Sequence, residues 1–223
     1  MSPRPLAPPA FLVPVLLLTA CATGGAARHF APATESEARE ALGALAAAQR
    51  RAASLPAARL LYDARMGRGG ASALPGTLAV TYDGKTVRRA ALTGPFGARV
   101  AQYDAGELTG DDRRALVVDP AALTAVLAGE WPGEPTSVEG CDGGECLLLW
   151  EAPLRVSAVV DRHEERLRSL AIEGEEGLLD VTYGGRADPW PERVAAWEKR
   201  SGRILRLTLV TVEASTAAGT SRR

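Results

Sequence analysis

Three cysteines and two histidines are the side chains of this 223-residue chain best suited to covalent or metal chemistry. Cys21 ends an apolar run, whereas Cys141 and Cys146 enclose a short stretch that contains two glycines. His29 lies in a segment of small residues, and His163 lies in a charged turn. A tetrahedral metal site needs four ligands, and the cysteine pair has no histidine or further cysteine close to it in the sequence. The cysteines therefore favour covalent modification or pairing with each other.

The apolar run of residues 10–20 predicts an export signal. It is too short to cross a bilayer as a helix, Arg4 supplies a positive charge before it, and small residues precede Cys21. Residues 18–21, Leu-Thr-Ala-Cys, resemble the lipobox of bacterial lipoproteins. The resemblance implies that residues 1–20 are removed and that Cys21 carries a diacylglyceryl group and an acylated amine. The alternative is an ordinary cleaved signal in which Cys21 has no role.

A lipidated Cys21 would be a lasting anchor, because each buried methylene contributes about 0.8 kcal/mol and several acyl chains, such as palmitate, share one residue. The residue after it is Ala22, and not the Asp that retains lipoproteins at the inner membrane in the enterobacterial rule. We therefore expect a lipid-anchored protein of the outer membrane that faces the periplasm.

Charge and hydropathy restrict the partners. The chain has 26 basic and 27 acidic residues, so its balance does not favour nucleic acid. No second apolar run is long enough to span a membrane, so contact with the bilayer is expected to come from the lipid. The length after residue 20 suits one domain, which we expect to be a monomer. Export to an oxidising compartment would allow Cys141 and Cys146 to form a disulfide.

A leash and a helix are predicted before the sheet. Residues 21–33 are rich in Gly and Ala and predict a flexible leash. Thr34 or Ser36 can cap a helix, whose apolar residues recur at helical spacing until Pro56. The helix is rich in Ala and has a narrow apolar stripe, so we expect it to lie against an apolar surface.

Most of the chain after Arg59 predicts antiparallel strands, which together with the helix form a domain of residues 34–214. After Arg59, strands are expected at residues 76–82, 86–93, 98–104, 113–118, 154–160, 166–173, 177–183, 193–197 and 203–213. A short helix is expected between Asp119-Pro120 and Gly129. The last strand is apolar on both faces, so we expect it to be covered on both sides. Residues 215–223 predict a disordered tail.

Two small motifs leave alternatives open. Cys141 and Cys146 would flank a four-residue hairpin turn, and a disulfide that closes so small a ring contributes about 2 kcal/mol. A metal bound by the two thiols is the alternative, with an incomplete ligand set. His163 beside Glu164 and Glu165 is either a second possible metal site or a solvated turn. We expect no metal at either place.

The sequence lacks the usual signatures of an enzyme. Gly84-Lys85-Thr86 is similar to the end of a phosphate-binding loop, but Ala79 stands where that loop needs a glycine, and the stretch predicts a hairpin. No serine lies in a nucleophile elbow. We therefore expect no catalytic residues and no cofactor.

Three local motifs resemble the LolA/LolB family of lipoprotein carriers and receptors. Residues 92–97, Leu-Thr-Gly-Pro-Phe-Gly, are similar to a Leu-Thr-x-Pro-Leu-Gly turn; residues 183–185, Tyr-Gly-Gly, and residues 203–207, Arg-Ile-Leu-Arg-Leu, are similar to two later motifs. The resemblance implies an α+β, mainly β fold. It consists of a curved, half-open antiparallel β-barrel whose mouth is covered by an N-terminal helix and a short inserted helix.

The resemblance also implies a function. The protein would bind acyl chains of lipoproteins in an apolar cavity, receive them from a periplasmic LolA-like donor, and help insert them into the outer membrane. Pro95 and Phe96 would form a turn that contacts the membrane; the alternative is that Phe96 packs inward as a plug. Other functions are an accessory or structural envelope lipoprotein without cargo and a carrier of another amphiphilic lipid.

Overall fold

The computed structural model describes residues 29–69, 73–118, 120–129, 133–151, 154–174, 177–185 and 189–214. The predicted signal, Cys21 with most of the leash, and the whole predicted tail lie outside the described residues. Within the described part, the chain forms two α-helices and one sheet of 13 strands.

The helices and strands follow one another in a simple order. The helices are α1 (Glu35–Ala53) and α2 (Pro120–Ala128). The strands are β1 (Ala31–Pro32), β2 (Ala58–Arg68), β3 (Leu74–Tyr82), β4 (Val87–Thr93), β5 (Arg99–Asp104), β6 (Glu107–Thr109), β7 (Ser137–Asp142), β8 (Glu145–Trp150), β9 (Arg155–Asp161), β10 (Arg166–Gly174), β11 (Gly177–Gly184), β12 (Arg193–Glu198) and β13 (Arg203–Ala214). Two short 3₁₀ helices cover Pro95–Gly97 and Arg113–Leu116.

The sheet is antiparallel throughout and does not close into a barrel. Its order is β1-β7-β8-β9-β10-β11-β12-β13-β2-β3-β4-β5-β6, so the second half of the chain lies beside β2 through the β13–β2 pair. The segment that contains α2 connects the two outermost regions of the sheet, from β6 to β7. The expected fold class, a mainly β, half-open antiparallel barrel with two helices, is confirmed.

α1 begins at a capping box and packs on the sheet through alanines. The Thr34 hydroxyl accepts from the Glu37 amide, and the Glu37 carboxylate accepts from the Thr34 amide. Its buried residues are Ala41, Ala44, Leu45, Ala47, Ala48 and Ala52. Such small side chains let the helix lie close to β7, β8, β9 and β10. Among the described residues, no helix has the length and apolar character needed to span a membrane.

The core lies on one face of the sheet. Along β2, Ala58, Leu60, Tyr62 and Ala64 are buried while the residues between them are exposed, as expected for a strand with one covered face. The same alternation occurs in β8, β9 and β12. α2 joins this core through the buried residues Leu123, Val126 and Leu127.

The predicted strand at residues 113–118 is wrong. Arg113–Leu116 forms a 3₁₀ helix, and the strand that pairs with β5 is β6, immediately after a two-residue turn. Both turn residues, Ala105 and Gly106, have positive φ angles of 45° and 104°. Alanine rarely adopts this conformation, so residues 105–106 carry a weak turn signal in the sequence.

The cysteine hairpin is tighter than predicted. Cys141 pairs with Cys146 across the strands and forms a disulfide with it, and Asp142 pairs with Glu145. The turn is therefore two residues long instead of four. Gly143 and Gly144 make it possible, because their φ angles of 55° and 90° lie in the left-handed region that glycine tolerates.

Two further expectations need correction. β13 is not covered on both sides: Val210 and Val212 have exposed fractions of 51% and 47%, and a bulge between Leu209 and Thr211 interrupts the alternation. The leash ends earlier than expected, because β1, within residues 21–33, pairs with β7. Gly140 permits this pairing, since a Cβ there would come within 2.4 Å of the Ala31 carbonyl oxygen.

Candidate functional site

The concave face of the sheet carries the apolar core, and the protein's own side chains fill most of it. Tyr62, Leu78 and Leu92, from three adjacent strands, are completely buried. From the other half of the sheet, Leu148, Val156 and Leu170 are also buried. α1 and α2 add further side chains to the same core. The expected apolar interior is therefore present, but in this conformation it is largely filled.

An open cleft of about 300 Å³ remains where α1 crosses the strand ends. Its apolar lining includes Ala48 and Ala52 of α1, Leu167 of β10 and Trp190 of the β11–β12 connection. Polar residues complete the lining: Arg51, Glu164, Arg166 and Tyr183. The cleft thus combines apolar walls with a rim of hydrogen-bonding groups, the usual composition of a small-molecule site.

Ion pairs attach α1 to the β9–β10 turn beside this cleft. The Arg51 guanidinium lies 3.3 Å from the Glu165 carboxylate and also donates to the Glu165 carbonyl oxygen. Arg162 in the turn pairs with Glu40 at 2.7 Å and with Glu37 at 3.7 Å. These charges and the buried alanine face together hold α1 against the sheet.

Asp161 organises the β9–β10 turn. Its carboxylate accepts from the amides of His163 and Glu164 at 2.9 Å each, and from Arg168 at 2.6 Å. Burial raises the pKa of Asp161, but the hydrogen bonds from Glu164, Arg168 and His163 outweigh it and hold that pKa below its usual value. The turn is therefore fixed by a charged carboxylate.

The possible metal site at His163 has its carboxylates engaged elsewhere. Glu164 forms ion pairs with Arg166 and Arg168, and Glu165 pairs with Arg51. No group of three histidine, cysteine, aspartate or glutamate side chains is placed to hold a metal ion within the described part of the chain.

The turn at Pro95 and Phe96 lies far from the cleft. Phe96 has an exposed fraction of 108% and φ and ψ angles of 60° and 22°, so it does not pack inward as a plug, which was the alternative to a membrane-contact turn. The turn follows Thr93, which pairs with Thr77 near the start of β3, whereas Tyr82 at the other end of β3 contacts Trp190. Thr77 and Tyr82 lie five residues apart along β3, a separation of roughly 17 Å. Phe96 and the cleft thus lie at opposite ends of the strands.

Several cleft residues were not singled out from the sequence. Trp190 and Arg166 carried no motif, and Tyr183 appeared only as part of the Tyr-Gly-Gly motif. One usable signal exists: Trp190 stands between Pro189 and Pro191, in a stretch that otherwise breaks the strand pattern. A large apolar side chain in such a connection favours burial, and Trp190 is only 2% exposed.

The comparisons with known proteins identify the fold. No family model matches the sequence, and no curated protein is significantly similar to it. A solved LolA superfamily protein from Nitrosomonas europaea has a TM-score of 0.51 and 12% identity, and the match covers 76% of this chain and 92% of the other. The resemblance to the LolA/LolB family inferred from the sequence is confirmed at the level of fold.

Two more distant structures were also found. A DUF1329 family protein from Desulfovibrio piger has a TM-score of 0.49 and 9% identity, with 81% of this chain and 94% of the other covered. A domain assigned to outer-membrane lipoprotein sorting, from Vibrio parahaemolyticus, has a TM-score of 0.46 and 12% identity, with 79% and 94% covered.

Proposed function

We propose that this protein is a lipid-anchored, periplasm-facing lipoprotein of the outer membrane that binds the acyl chains of other lipoproteins and helps insert them into that membrane. In this role it resembles LolB. It works as a monomer and receives its cargo from a periplasmic LolA-like donor. No chemical step is involved, because acyl chains need only be sheltered from water and released.

The observation that carries this proposal is the one-sided apolar sheet in a LolA-like fold. The concave face is lined by apolar side chains from both halves of the sheet and is covered by α1. Acyl chains crossing an aqueous compartment would expose a large apolar surface, and a face of this kind can replace water around them.

Binding requires that α1 move, since the interior is filled in the present conformation. The helix is suited to this movement. Its buried side chains are mostly alanines, which contribute little apolar area each, and its ties to the β9–β10 turn are ion pairs with at least one partner exposed. We infer that α1 is displaced when the acyl chains enter between it and the sheet.

Two separate features would bring the protein to the membrane. The lipid on Cys21 would anchor it, as the lipobox resemblance implies. Pro95 and Phe96 would form a second contact, because Phe96 stands fully exposed on a turn where burying its ring in the bilayer could contribute about 1.5 to 3 kcal/mol. The turn would then guide the cargo from the protein into the lipid.

A second function is favoured by the tight interior. The cleft beside α1, of about 300 Å³, lies at the lower end of the range of ligand pockets, about 300 to 1,000 Å³. An accessory or structural envelope lipoprotein with this fold and no cargo would need no larger space. A carrier of another amphiphile, such as a glycolipid, would need a similar displacement of α1.

The displacement of a fluorescent fatty acid separates these functions. The full chain, isolated with its own anchor, is expected to bind the fatty acid and to release it when a triacylated lipopeptide is added. If a glycolipid displaces the fatty acid and the lipopeptide does not, the result would support a carrier of another amphiphilic lipid. A folded protein that binds neither would support the accessory role.

A further inference from the structure

Three residues of the cleft between α1 and the strand ends carry a buried hydrogen-bond donor that has no acceptor among the described residues. The Tyr183 hydroxyl, the Trp190 indole Nε1 and the Arg166 Nε are all buried, and none has a partner among the described residues. A buried donor without an acceptor costs free energy, and folded proteins usually avoid it. Three such atoms in one cleft indicate that an acceptor is supplied from outside the chain.

The surrounding charges indicate what kind of acceptor fits. Arg166 already donates to the Gly185 carbonyl oxygen at 2.7 Å and pairs with Glu164, while Arg51 pairs with Glu165. The arginines beside the cleft are thus neutralised by carboxylates. The remaining donors on Tyr183 and Trp190 are neutral, so a neutral carbonyl oxygen matches them better than an additional anion would.

Tyr183 remains a donor under ordinary conditions. Burial raises the pKa of its phenol well above the usual value, so the hydroxyl keeps its proton. Trp190 is 2% exposed and can only donate, since the indole nitrogen has no lone pair to offer. Both groups therefore need acceptors of the same type.

The cleft also has an apolar wall. Ala48 and Ala52 of α1 and Leu167 of β10 line the cleft together with these donors. A molecule that fits must carry carbonyl oxygens next to a hydrocarbon chain, so that the chain follows the apolar wall while the oxygens meet the donors.

We propose that this cleft binds the ester carbonyl groups of an acylated glycerol, with Tyr183 and Trp190 as the donors. The inference rests on the proposed function and names the part of the cargo that the cleft recognises. Both a lipoprotein and a glycerophospholipid carry this ester, and the two sources are distinguished by experiment.

A matched pair of ligands tests the assignment. 1-Monopalmitoylglycerol has the ester carbonyl, whereas 1-O-hexadecylglycerol has an ether in its place and is otherwise alike. The full chain is expected to bind the ester about threefold to tenfold more tightly, the effect of one neutral hydrogen bond. Tyr183→Phe is expected to reduce this preference, without lowering the unfolding temperature, because it removes an unpaired buried hydroxyl.

Tyr62→Phe is the control variant. Its hydroxyl is also buried without a partner among the described residues, but Tyr62 is not part of the cleft lining. It should keep the full preference for the ester. Equal binding of ester and ether by the wild-type chain, an unchanged preference in Tyr183→Phe, or an equal loss in Tyr62→Phe would overturn the assignment while leaving acyl-chain binding intact. Binding of neither ligand would refute the proposed function itself.

The source is identified with two larger ligands. A dipalmitoylglyceryl-cysteine peptide and palmitoyl lysophosphatidylcholine both carry the ester, so weaker binding of either by Tyr183→Phe supports the assignment. The ligand that binds more tightly shows whether the site favours a lipoprotein or a phospholipid. If Tyr183→Phe binds both ligands as tightly as the wild-type chain does, the assignment of the ester site is contradicted.

Discussion

The ring of Trp190 packs edge-to-face on the ring of Tyr82, with their centroids 5.1 Å apart and an angle of 83° between their planes. Tyr82 ends β3 and Trp190 lies between β11 and β12, so three strands, β12, β13 and β2, separate the two elements in the sheet. The contact therefore crosses the concave side. It joins the two halves of the half-open barrel next to the cleft.

Replacing Trp190 should loosen this end of the barrel. Trp190→Ala is expected to lower the free energy of unfolding by about 3 to 5 kcal/mol, because a buried aromatic side chain and its edge-to-face contact are both lost. Urea unfolding followed by circular dichroism measures the change. Trp197→Ala, at a half-buried position, should cost clearly less. If both variants lower the free energy of unfolding equally, the contact between Trp190 and Tyr82 adds no measurable stability.

The Arg162 ion pairs are expected to hold α1 closed. Arg162→Met removes the pairs with Glu40 and Glu37, and should lower stability by about 1 kcal/mol while it speeds the uptake of a fluorescent fatty acid. Stopped-flow fluorescence measures the uptake rate. Arg39→Met is the control, because the ion pair that Arg39 forms with Glu35 lies within α1. An uptake rate that stays the same in Arg162→Met would argue against movement of α1.

The stability of the β3–β4 hairpin should fall at acid pH because of Asp83. This carboxylate accepts from the amides of Thr86 and Lys85 and pairs with Arg88, which together lower its pKa from 3.8 to about 2. Because the folded state favours the ionised carboxylate, Asp83 stabilises the fold at pH values above its unfolded pKa of 3.8. This stabilisation is lost as the pH falls from 3.8 towards 2 and the carboxylate becomes protonated.

Asp83→Asn tests that contribution. The variant should be less stable than the wild type at pH 5 and closer to it at pH 2.5, as measured by urea unfolding at both values. Asp142→Asn, at an exposed position in the β7–β8 hairpin, serves as the control. A stability difference between Asp83→Asn and wild type that is the same at both pH values would rule out the role of the charge.

Phe96 should matter for delivery and not for folding. Phe96→Glu is expected to slow the transfer of a lipidated cargo to vesicles by about tenfold, since the bilayer contact of the ring is lost. Its stability should change by less than about 0.5 kcal/mol, because the side chain is fully exposed. Leu42→Glu, at an exposed leucine of α1, is the control for added charge. Normal transfer by a folded Phe96→Glu would refute the membrane-contact role.

Much of the fold could be predicted from the sequence because its signals are local. The Thr34 cap and the helical spacing mark α1, and Asp119-Pro120 marks α2. The β9–β10–β11 meander follows the alternation of apolar residues. β6 was missed because its turn holds Ala105 at a positive φ angle, which local propensity does not predict.

The candidate site could be predicted only in part. The apolar interior follows from alternation along the strands, but whether it is filled depends on how α1 and α2 pack, which is a long-range property. The cleft depends on Trp190 and Tyr183 meeting residues of α1 that are more than a hundred positions away in the chain. The exposure of Phe96 could not be decided either, since flanking glycines allow an inward or an outward turn.

The most direct measurement is mass spectrometry of the full chain, purified from its native membranes in mild detergent, together with the material bound to it. The proposal predicts an acylated amino terminus at Cys21 and, in addition, a co-purified acylated protein or acyl lipid that a triacylated lipopeptide displaces. A folded protein that carries no lipid besides its own anchor, and that takes up none when the lipopeptide is added, would contradict the carrier function.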